Sequence, residues 1–238
     1  MGRAFEVRKA AMMKTGLAKA KIYSRYSKEI YIAAKNGGVD QEANLTLKRL
    51  IEKAKKDQVP ADVIKRAIDK VNSGSGENYK ENIYEGFGPN GANILVVCLT
   101  DNDNRTISEV KTAFNKSKNK IGVSGSVNYL YDYVGIISIK DVDEEEVMNY
   151  CLENDLEIDD IENDEGIISV YVDPKNHNEV SNKLAEKYQE QIEMDEVTYI
   201  AQSTVTLDGE DKDSFEKLID LLNECDDVQN VYHNVDNI

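Results

Sequence analysis

The sequence predicts an α+β fold: an N-terminal all-α helical domain followed by two α+β domains of the ferredoxin-like, split β-α-β type, one inserted into the other. Three amphipathic helix patterns lie within the first 72 residues. Residues 134–200 have the order β-α-β-β-α-β, which is typical of a ferredoxin-like domain. The stretches on either side each predict half of a further β-α-β domain. We therefore expect a basic helical domain at 1–76, a discontinuous α+β domain at 77–133 plus 201–238, and the inserted domain at 134–200.

Charge is divided unevenly along the chain. The net charge is −16, yet residues 1–72 hold 17 of the 29 Lys and Arg and only 8 of the 45 Asp and Glu, a net of +9 against −25 for the remainder. Such asymmetry predicts a basic module for a polyanion, carried on an acidic body. A protein–protein adaptor, whose basic helices bind its own acidic domains, is the alternative.

Length and cysteine content indicate the class of protein. The 238 residues are enough for a sizeable core, and the three cysteines lie far apart, as in proteins of a reducing compartment. The N-terminus lacks the pattern of a signal peptide, and no run approaches the ~18 apolar residues of a membrane span. We expect a soluble cytoplasmic protein without a membrane partner.

The N-terminal stretch of about 18 residues predicts a basic arm. Free basic arms commonly become ordered only on a nucleic acid, although a frayed terminus is the plain alternative. Its candidate nucleic-acid-binding residues are Arg3, Arg8, Lys9 and Lys14.

Three helices are predicted to follow the arm. The first covers 17–36 and ends at Gly37-Gly38, the second covers 42–57, and the third begins near Pro60, which suits a first turn. The last two fit either a helix-turn-helix or an ordinary helical hairpin. The basic residues that we expect to contact nucleic acid are Lys19, Lys21, Arg25, Lys28, Arg49, Lys53 and Lys56.

The central stretch predicts one β-α-β unit. The glycines between Gly86 and Gly91 have the letters of a dinucleotide fingerprint, but they precede the apolar strand at 92–99 rather than follow it, which argues against nucleotide binding. Thr106, three residues before Glu109, predicts a capping box that starts a helix. A second strand is predicted at 127–131.

A basic loop follows the central helix. Lys116, Lys118 and Lys120 occupy alternate positions, and we expect them beside an edge formed by the glycines of 86–91 and 122–125. Lysines supply point charges for phosphates, but a solvated surface turn is an equally open interpretation. Arg105, outside this loop, is the remaining candidate nucleic-acid-binding residue.

The remaining elements follow from short apolar runs. The sequence predicts strands at 134–139, 157–161, 167–172, 197–200, 204–207 and 228–232, with helices at 144–152, from Pro174 through Tyr188, and from Phe215 through Leu222.

No pattern predicts catalysis. The two histidines, His177 and His233, lack neighbours at metal-ligand spacing, and the sequence contains no nucleotide-binding lysine motif or catalytic elbow. Acidic pairs such as Asp226-Asp227 are expected on solvated turns and helix starts, whereas general acid–base catalysis needs carboxylates in a shielded pocket. We therefore expect no metal, no cofactor, no small-molecule substrate and no enzymatic activity.

Several short motifs are spread along essentially the whole chain. They are Gly37-Gly38 with Glu42 and Asn44, Val59-Pro60 with Ile64 and Ala67-Ile68, Tyr84-Glu85-Gly86-Phe87-Gly88-Pro89-Asn90-Gly91, Asn104-Arg105-Thr106, Gly122 with Gly125-Ser126-Val127, and Val231-Tyr232-His233-Asn234-Val235. Together these motifs resemble the YebC/PmpR family, and the N-terminus is closer to its YeeN-like branch.

The resemblance implies a three-domain protein that is a probable DNA-binding transcriptional regulator. Relatives act instead on translation, among them the mitochondrial translational activator of cytochrome oxidase subunit one and bacterial members associated with ribosomes stalled on proline-rich sequence. This chain departs from the family in the arm, which lacks the usual Trp and His. It also departs at Lys118-Asn119, where the family usually has Gly-Gly. We expect DNA, or ribosomal RNA on the ribosome, as the partner.

Overall fold

The computed structural model describes residues 19–73 and 78–238. The predicted basic arm, with Arg3, Arg8, Lys9 and Lys14, lies outside these residues. In chain order the described elements are α1 (Lys19–Gly37), α2 (Leu45–Lys56), α3 (Ala61–Asn72), β1 (Lys80–Phe87), β2 (Asn93–Thr100), α4 (Asp103–Lys116), β3 (Lys120–Ile121), β4 (Tyr131–Lys140), α5 (Glu144–Glu153), β5 (Asp160–Asp164), β6 (Ile167–Val172), α6 (His177–Tyr188), β7 (Ile192–Ala201), α7 (Gly209–Glu224) and β8 (Val228–His233).

The predicted fold class is confirmed. Helices come first, and two four-stranded sheets follow, in the orders β3-β1-β2-β8 and β5-β6-β4-β7. The strands of the second sheet lie in the chain between β3 and β8 of the first, so the second sheet is an insertion. The described residues form two compact units, one of 127–206 with 232–237 and one of 19–73 and 78–126 with 207–231 and Ile238. The division into three domains stays a prediction.

The three N-terminal helices share an apolar core that includes Ile30, Leu47 and Ala67. The α2 helix begins at Leu45, later than predicted, because the side chain of Asn44 caps it. The Oδ1 atom of Asn44 accepts from the amide of Leu47 at 3.0 Å. Its Nδ2 atom donates to the carbonyl oxygens of Ala33 and Gly38, both at 2.8 Å, and so joins the end of α1 to the start of α2.

The first sheet is built on β2, whose eight residues are all buried. This confirms the prediction of a continuously apolar strand. The sequence did not predict β1, which pairs with β2 along its full length from Lys80 opposite Thr100 to Phe87 opposite Asn93. The glycine-rich segment connects these two strands and contains a single 3₁₀ turn at Pro89–Gly91. It therefore belongs to a hairpin and opens no α-helix, unlike a dinucleotide fingerprint.

Two predictions around α4 are wrong. The helix begins at Asp103 rather than Thr106, because the side chain of Asn102 caps it by accepting from the amide of Arg105 at 3.1 Å. After α4 the chain forms the short edge strand β3, and the predicted strand at 127–131 is largely a 3₁₀ turn at Asn128–Leu130. The strand that follows, β4, starts at Tyr131 and belongs to the second sheet.

The second sheet has the ferredoxin-like strand order, with antiparallel pairs β4–β6, β4–β7 and β5–β6. The predicted β-α-β-β-α-β order is confirmed between 131 and 201. Ile137, Val170 and Leu184 share its core, with β4, β6 and α6 contributing one each. The predicted strand at 204–207 is reduced to one bridge between Val205 and Val235. In the described part of the chain, no helix is both long and apolar enough to cross a membrane.

Candidate nucleic-acid interface

The cations of α1 contact other parts of the protein. The Lys28 Nζ atom donates to the Asp227 carboxylate at 2.8 Å and to the carbonyl oxygen of Asp226 at 2.9 Å, and the Lys28 side chain is only 13% exposed. The Arg25 guanidinium donates to Asn230 Oδ1 at 2.7 Å. Lys21 is half-buried, and burial lowers the pKa of its ammonium group. These three predicted residues lie along the side of α1 that is near β8 and the turn before it.

Arg105 also contributes to this internal network. Its guanidinium donates to the Asp227 carboxylate at 2.7 and 3.1 Å and to Asp101 at 2.9 Å. Thr106 and Thr100 add hydroxyl donors to the same Asp227 oxygen, at 2.8 and 3.2 Å. The hydroxyl of Thr106 therefore binds a distant carboxylate instead of forming the predicted capping box.

The predicted exposure of Asp227 is wrong. Its side chain is 3% exposed, whereas we expected Asp226-Asp227 on a solvated turn. Burial alone would raise the pKa of Asp227, but hydrogen bonds from Lys28, Arg105 and Thr106 outweigh it and hold the pKa at about 2. No local pattern distinguishes Asp227 from its exposed neighbour Asp226.

A second group of predicted cations faces solvent at the end of α2. The side chains of Lys53 and Lys56 are exposed, as is that of Lys55, which the sequence analysis did not include. The nearby carboxylate of Asp57 accepts a hydrogen bond from the Tyr26 hydroxyl. Lysines in a last turn also complement the helix dipole, which is their structural explanation. Of the other predicted residues, Lys19 is exposed and Arg49 is half-buried.

The third group is the lysine loop, defined as residues 116–120. Lys116, Lys118 and Lys120 are exposed, and none forms an ion pair with any residue that the structure describes. Ser117 and Asn119, between them, are buried. The Ser117 hydroxyl donates to Ala113 O at 2.8 Å, and Asn119 Nδ2 donates to Ser117 O at 2.9 Å. These hydrogen bonds fix the loop so that the intervening lysines project outward.

The lysine loop lies beside glycines, as the sequence predicts. In the ladder between β1 and β3, Phe87 is opposite Lys120 and Gly86 is opposite Ile121. The amides of Gly122 and Gly125 donate to the backbone oxygen and a side-chain oxygen of Glu85, at 2.7 and 2.6 Å.

The glycines themselves serve packing. A Cβ atom on Gly86 would lie 2.2 Å from Phe114, and one on Gly122 would lie 2.4 Å from Ser126 Oγ. Gly125 has a φ of +81°, which favours glycine for its backbone conformation. Internal packing and turn geometry therefore account for these glycines without a ligand.

Comparison with known proteins identifies the family. The family model described as "TACO1/YebC second and third domain" matches residues 79–235. The chain belongs to the TACO1/YebC family. The model described as "TACO1/YebC protein N-terminal domain" matches residues 3–74, so the predicted family resemblance is confirmed over nearly the whole chain.

Members of the TACO1/YebC family from several bacteria are closely similar to this chain. A protein of Pseudoalteromonas atlantica is 48% identical over 235 residues, which cover 98% of this chain and 97% of that protein. A protein of Alcanivorax borkumensis is 48% identical over 237 residues, covering 99% of each. Both bear the name "Probable transcriptional regulatory protein". The crystal structure of a conserved hypothetical protein from Aquifex aeolicus matches with a TM-score of 0.75 and 36% identity, covering 92% of this chain and 90% of that one.

The described residues offer little to a metal ion. No group of three or more His, Cys, Asp or Glu side chains among residues 19–73 and 78–238 has an arrangement that could hold one.

Proposed function

We propose that this member of the TACO1/YebC family is a non-enzymatic, nucleic-acid-binding regulator of gene expression, acting in the cytoplasm as a DNA-binding transcriptional regulator. The names of the curated relatives support a regulatory role. The uneven charge, +9 in residues 1–72 against −25 elsewhere, supports a polyanionic partner. The observation that carries the proposal is the exposed cluster of Lys53, Lys55 and Lys56 at the end of α2.

The physical reason is the release of counterions. Each phosphate that a lysine neutralises releases condensed cations. The logarithm of the binding constant therefore falls linearly with the logarithm of the salt concentration, with a slope of about −0.9 per contact on duplex DNA and about −0.7 on single strands. An acidic body would repel DNA unless the basic module is presented separately from it. Binding should therefore depend on the N-terminal helices and fall steeply with salt.

The test measures the binding of full-length protein to labelled duplex DNA, and to RNA, from low to moderate salt. We expect affinity to drop by orders of magnitude across this range. Changing Lys53, Lys55 and Lys56 together to glutamine should weaken binding and reduce the salt slope. A flat salt profile on both nucleic acids would remove the proposal.

The matched control changes three lysines outside the proposed contacts, Lys140, Lys175 and Lys217, to glutamine. Lys175 and Lys217 are exposed, and Lys140 is 46% exposed and paired with Glu193 at 3.1 Å, a surface ion pair of little energetic weight. The control removes the same three positive charges. Equal losses in the two variants would mean that net charge alone governs binding.

A second candidate function is that of a ribosome-associated translation factor that binds ribosomal RNA and relieves stalling on proline-rich sequences. The lysine loop favours it, because three exposed lysines beside an open sheet edge suit the phosphates of a folded RNA. Fractionating lysate on a sucrose gradient, with and without nuclease, separates the two candidates.

A weaker candidate is a protein–protein adaptor. The contacts of Lys28 and Arg25 with the C-terminal region favour it, since there a basic helix already binds groups of the acidic part. If the protein binds neither DNA nor RNA at low salt, the result favours the adaptor function.

A further inference from the structure

We propose that Phe87 and the end of the lysine loop nearest to it form a binding site for single-stranded nucleic acid, in which an unpaired base stacks on the Phe87 ring and the flanking phosphates contact Lys120 and Lys118. The inference rests on the proposed function and specifies which form of nucleic acid this edge of the first sheet recognises.

The register of β1 and β3 places the aromatic ring and a cation together. Phe87 is directly opposite Lys120, and side chains directly opposite in an antiparallel pair lie on the same face of the sheet. The neighbouring pair, Gly86 and Ile121, faces the other side, where a Cβ on Gly86 would meet Phe114 of α4. Phe87 and Lys120 therefore face away from α4.

The ring of Phe87 is both supported and accessible. A Cβ atom on Gly122 would lie 3.1 Å from the Cε2 atom of Phe87, so the absent side chain of Gly122 leaves room for the ring against the backbone. Phe87 nevertheless remains 39% exposed, and Val123, the residue after Gly122, is 76% exposed. Phe87 is therefore packed against Gly122 and is still accessible to a ligand.

The cations and the ring match what an unpaired nucleotide offers. Its phosphates need point charges, which Lys120 beside the ring and Lys118, two residues before it, supply without competing ion pairs from the described residues. Its base has an open π face, which stacks on an aromatic ring regardless of sequence. A duplex keeps its bases stacked within the helix, so it can use the lysines but not Phe87. The site should therefore prefer unpaired strands.

One carboxylate of β1, that of Glu85, is already engaged. Glu85, two residues before Phe87, is 4% exposed and accepts from the amide of Gly125 at 2.6 Å. It is thereby turned into the protein rather than toward an approaching phosphate.

The first experiment compares full-length wild type with Phe87→Leu, which keeps an apolar side chain over Gly122 but removes the aromatic face. The probes are fluorescein-labelled oligouridylate and oligodeoxythymidylate of about 12 nucleotides, within the usual site size, and a hairpin duplex of similar length. We expect Phe87→Leu to weaken binding to both unpaired probes by about tenfold and to leave duplex binding unchanged. Phe87→Tyr, which restores a ring, should bind like wild type.

A second measurement uses the unmodified protein, so it does not depend on the folding of a variant. Oligouridylate carrying 5-iodouracil is irradiated in the complex, and the cross-linked peptide is identified by mass spectrometry. Stacking predicts a cross-link at Phe87. A cross-link confined to other peptides, or equal binding of Phe87→Leu and wild type to unpaired probes, would overturn the inference.

The outcomes separate this inference from the proposed function. In one outcome, wild type binds both duplex and unpaired probes with a steep salt dependence, while Phe87→Leu changes the affinity for neither kind of probe. In that case only the stacking site is wrong. If wild type binds no probe at low salt, the proposed function fails together with it. Loss of duplex and single-strand affinity to the same degree in Phe87→Leu would overturn the inference, because it indicates a structural role for Phe87.

Discussion

Asp227 joins three elements through one carboxylate. It accepts from Lys28 of α1, from Arg105 and Thr106 of α4, and from Thr100 at the end of β2. A buried carboxylate is stable only when such donors replace its lost hydration. The network therefore holds the N-terminal helices against the first sheet.

Replacing Asp227 by asparagine should lower the free energy of unfolding at pH 7 by about 2–4 kcal/mol, because it leaves the cations of Lys28 and Arg105 without a buried counter-charge. Urea denaturation measures this change. The control is Asp226→Asn, since the Asp226 side chain is exposed and only its backbone oxygen binds Lys28. A loss in Asp226→Asn as large as that in Asp227→Asn would contradict the assignment.

The difference in stability between wild type and Asp227→Asn should depend on pH. The pKa of Asp227 is lowered on folding to about 2, so its stabilising contribution is present above the ordinary carboxyl pKa near 4 and is lost as pH falls through about 2. The stability difference between wild type and Asp227→Asn should therefore shrink between about pH 4 and pH 2. A constant difference over this range would show that the charge of Asp227 is not what stabilises the fold.

Two glycines of the first sheet should respond to alanine for different reasons. Gly86→Ala should cost about 1–3 kcal/mol by overpacking against Phe114. Gly125→Ala should cost about 1 kcal/mol, because φ is +81° although no atom lies within 4 Å of the added Cβ.

A double-mutant cycle with Phe114→Leu distinguishes the two causes. The smaller side chain should relieve part of the cost of Gly86→Ala and none of the cost of Gly125→Ala, as measured by thermal or urea unfolding. Coupling of Phe114 to both glycines, or to neither, would refute the packing explanation. A Gly125→Ala protein that loses only thermal stability would assign that glycine to structure rather than to binding.

At the scale of the element, the lysine loop separates the two leading functions. Changing Lys116, Lys118 and Lys120 to glutamate should abolish co-sedimentation with ribosomes while the fold, and much of the binding to plain duplex DNA, remain. The reason is that the loop projects its three charges from a backbone fixed by Ser117 and Asn119, apart from the lysines at the end of α2. Sucrose-gradient fractionation and circular dichroism measure the two effects.

The control for the loop changes Lys140, Lys175 and Lys217 to glutamate, which alters the net charge by the same amount. Ribosome association should survive in this control. Unchanged association of the loop variant, or no association of the wild type, would count against the translation function and favour the transcriptional one.

At the scale of the whole molecule, the acidic α+β part should fold without the helical one. A fragment of residues 76–238 contains both sheets, so we expect cooperative thermal unfolding. Its melting temperature should be lower than that of the full chain, because the contacts of Arg25 and Lys28 with Asn230 and Asp227 are missing. Asp227→Asn should also cost less in the fragment than in the full chain. A molten fragment without a sharp transition would show that the predicted boundary is wrong.

The sequence by itself determined the features that depend on near neighbours. The continuous apolar run of β2 and the β-α-β-β-α-β order were both predicted, because periodicity and turn residues act over a few positions. The strand β1 escaped prediction, since its charged start and Gly86 have weak strand propensity. It forms because β2 provides a partner along its full length.

The tertiary structure alone decided which charges face solvent and which face the protein. Lys28 and Asp227 are 199 positions apart, and no local pattern shows that they meet, whereas Asp226, the residue next to Asp227, stays exposed. The pairing of Phe87 with Lys120 likewise arises only when β3 docks on β1. The physical reason is that burial and hydrogen bonding of a charged group depend on the residues brought to it by folding, and these lie far away in the chain.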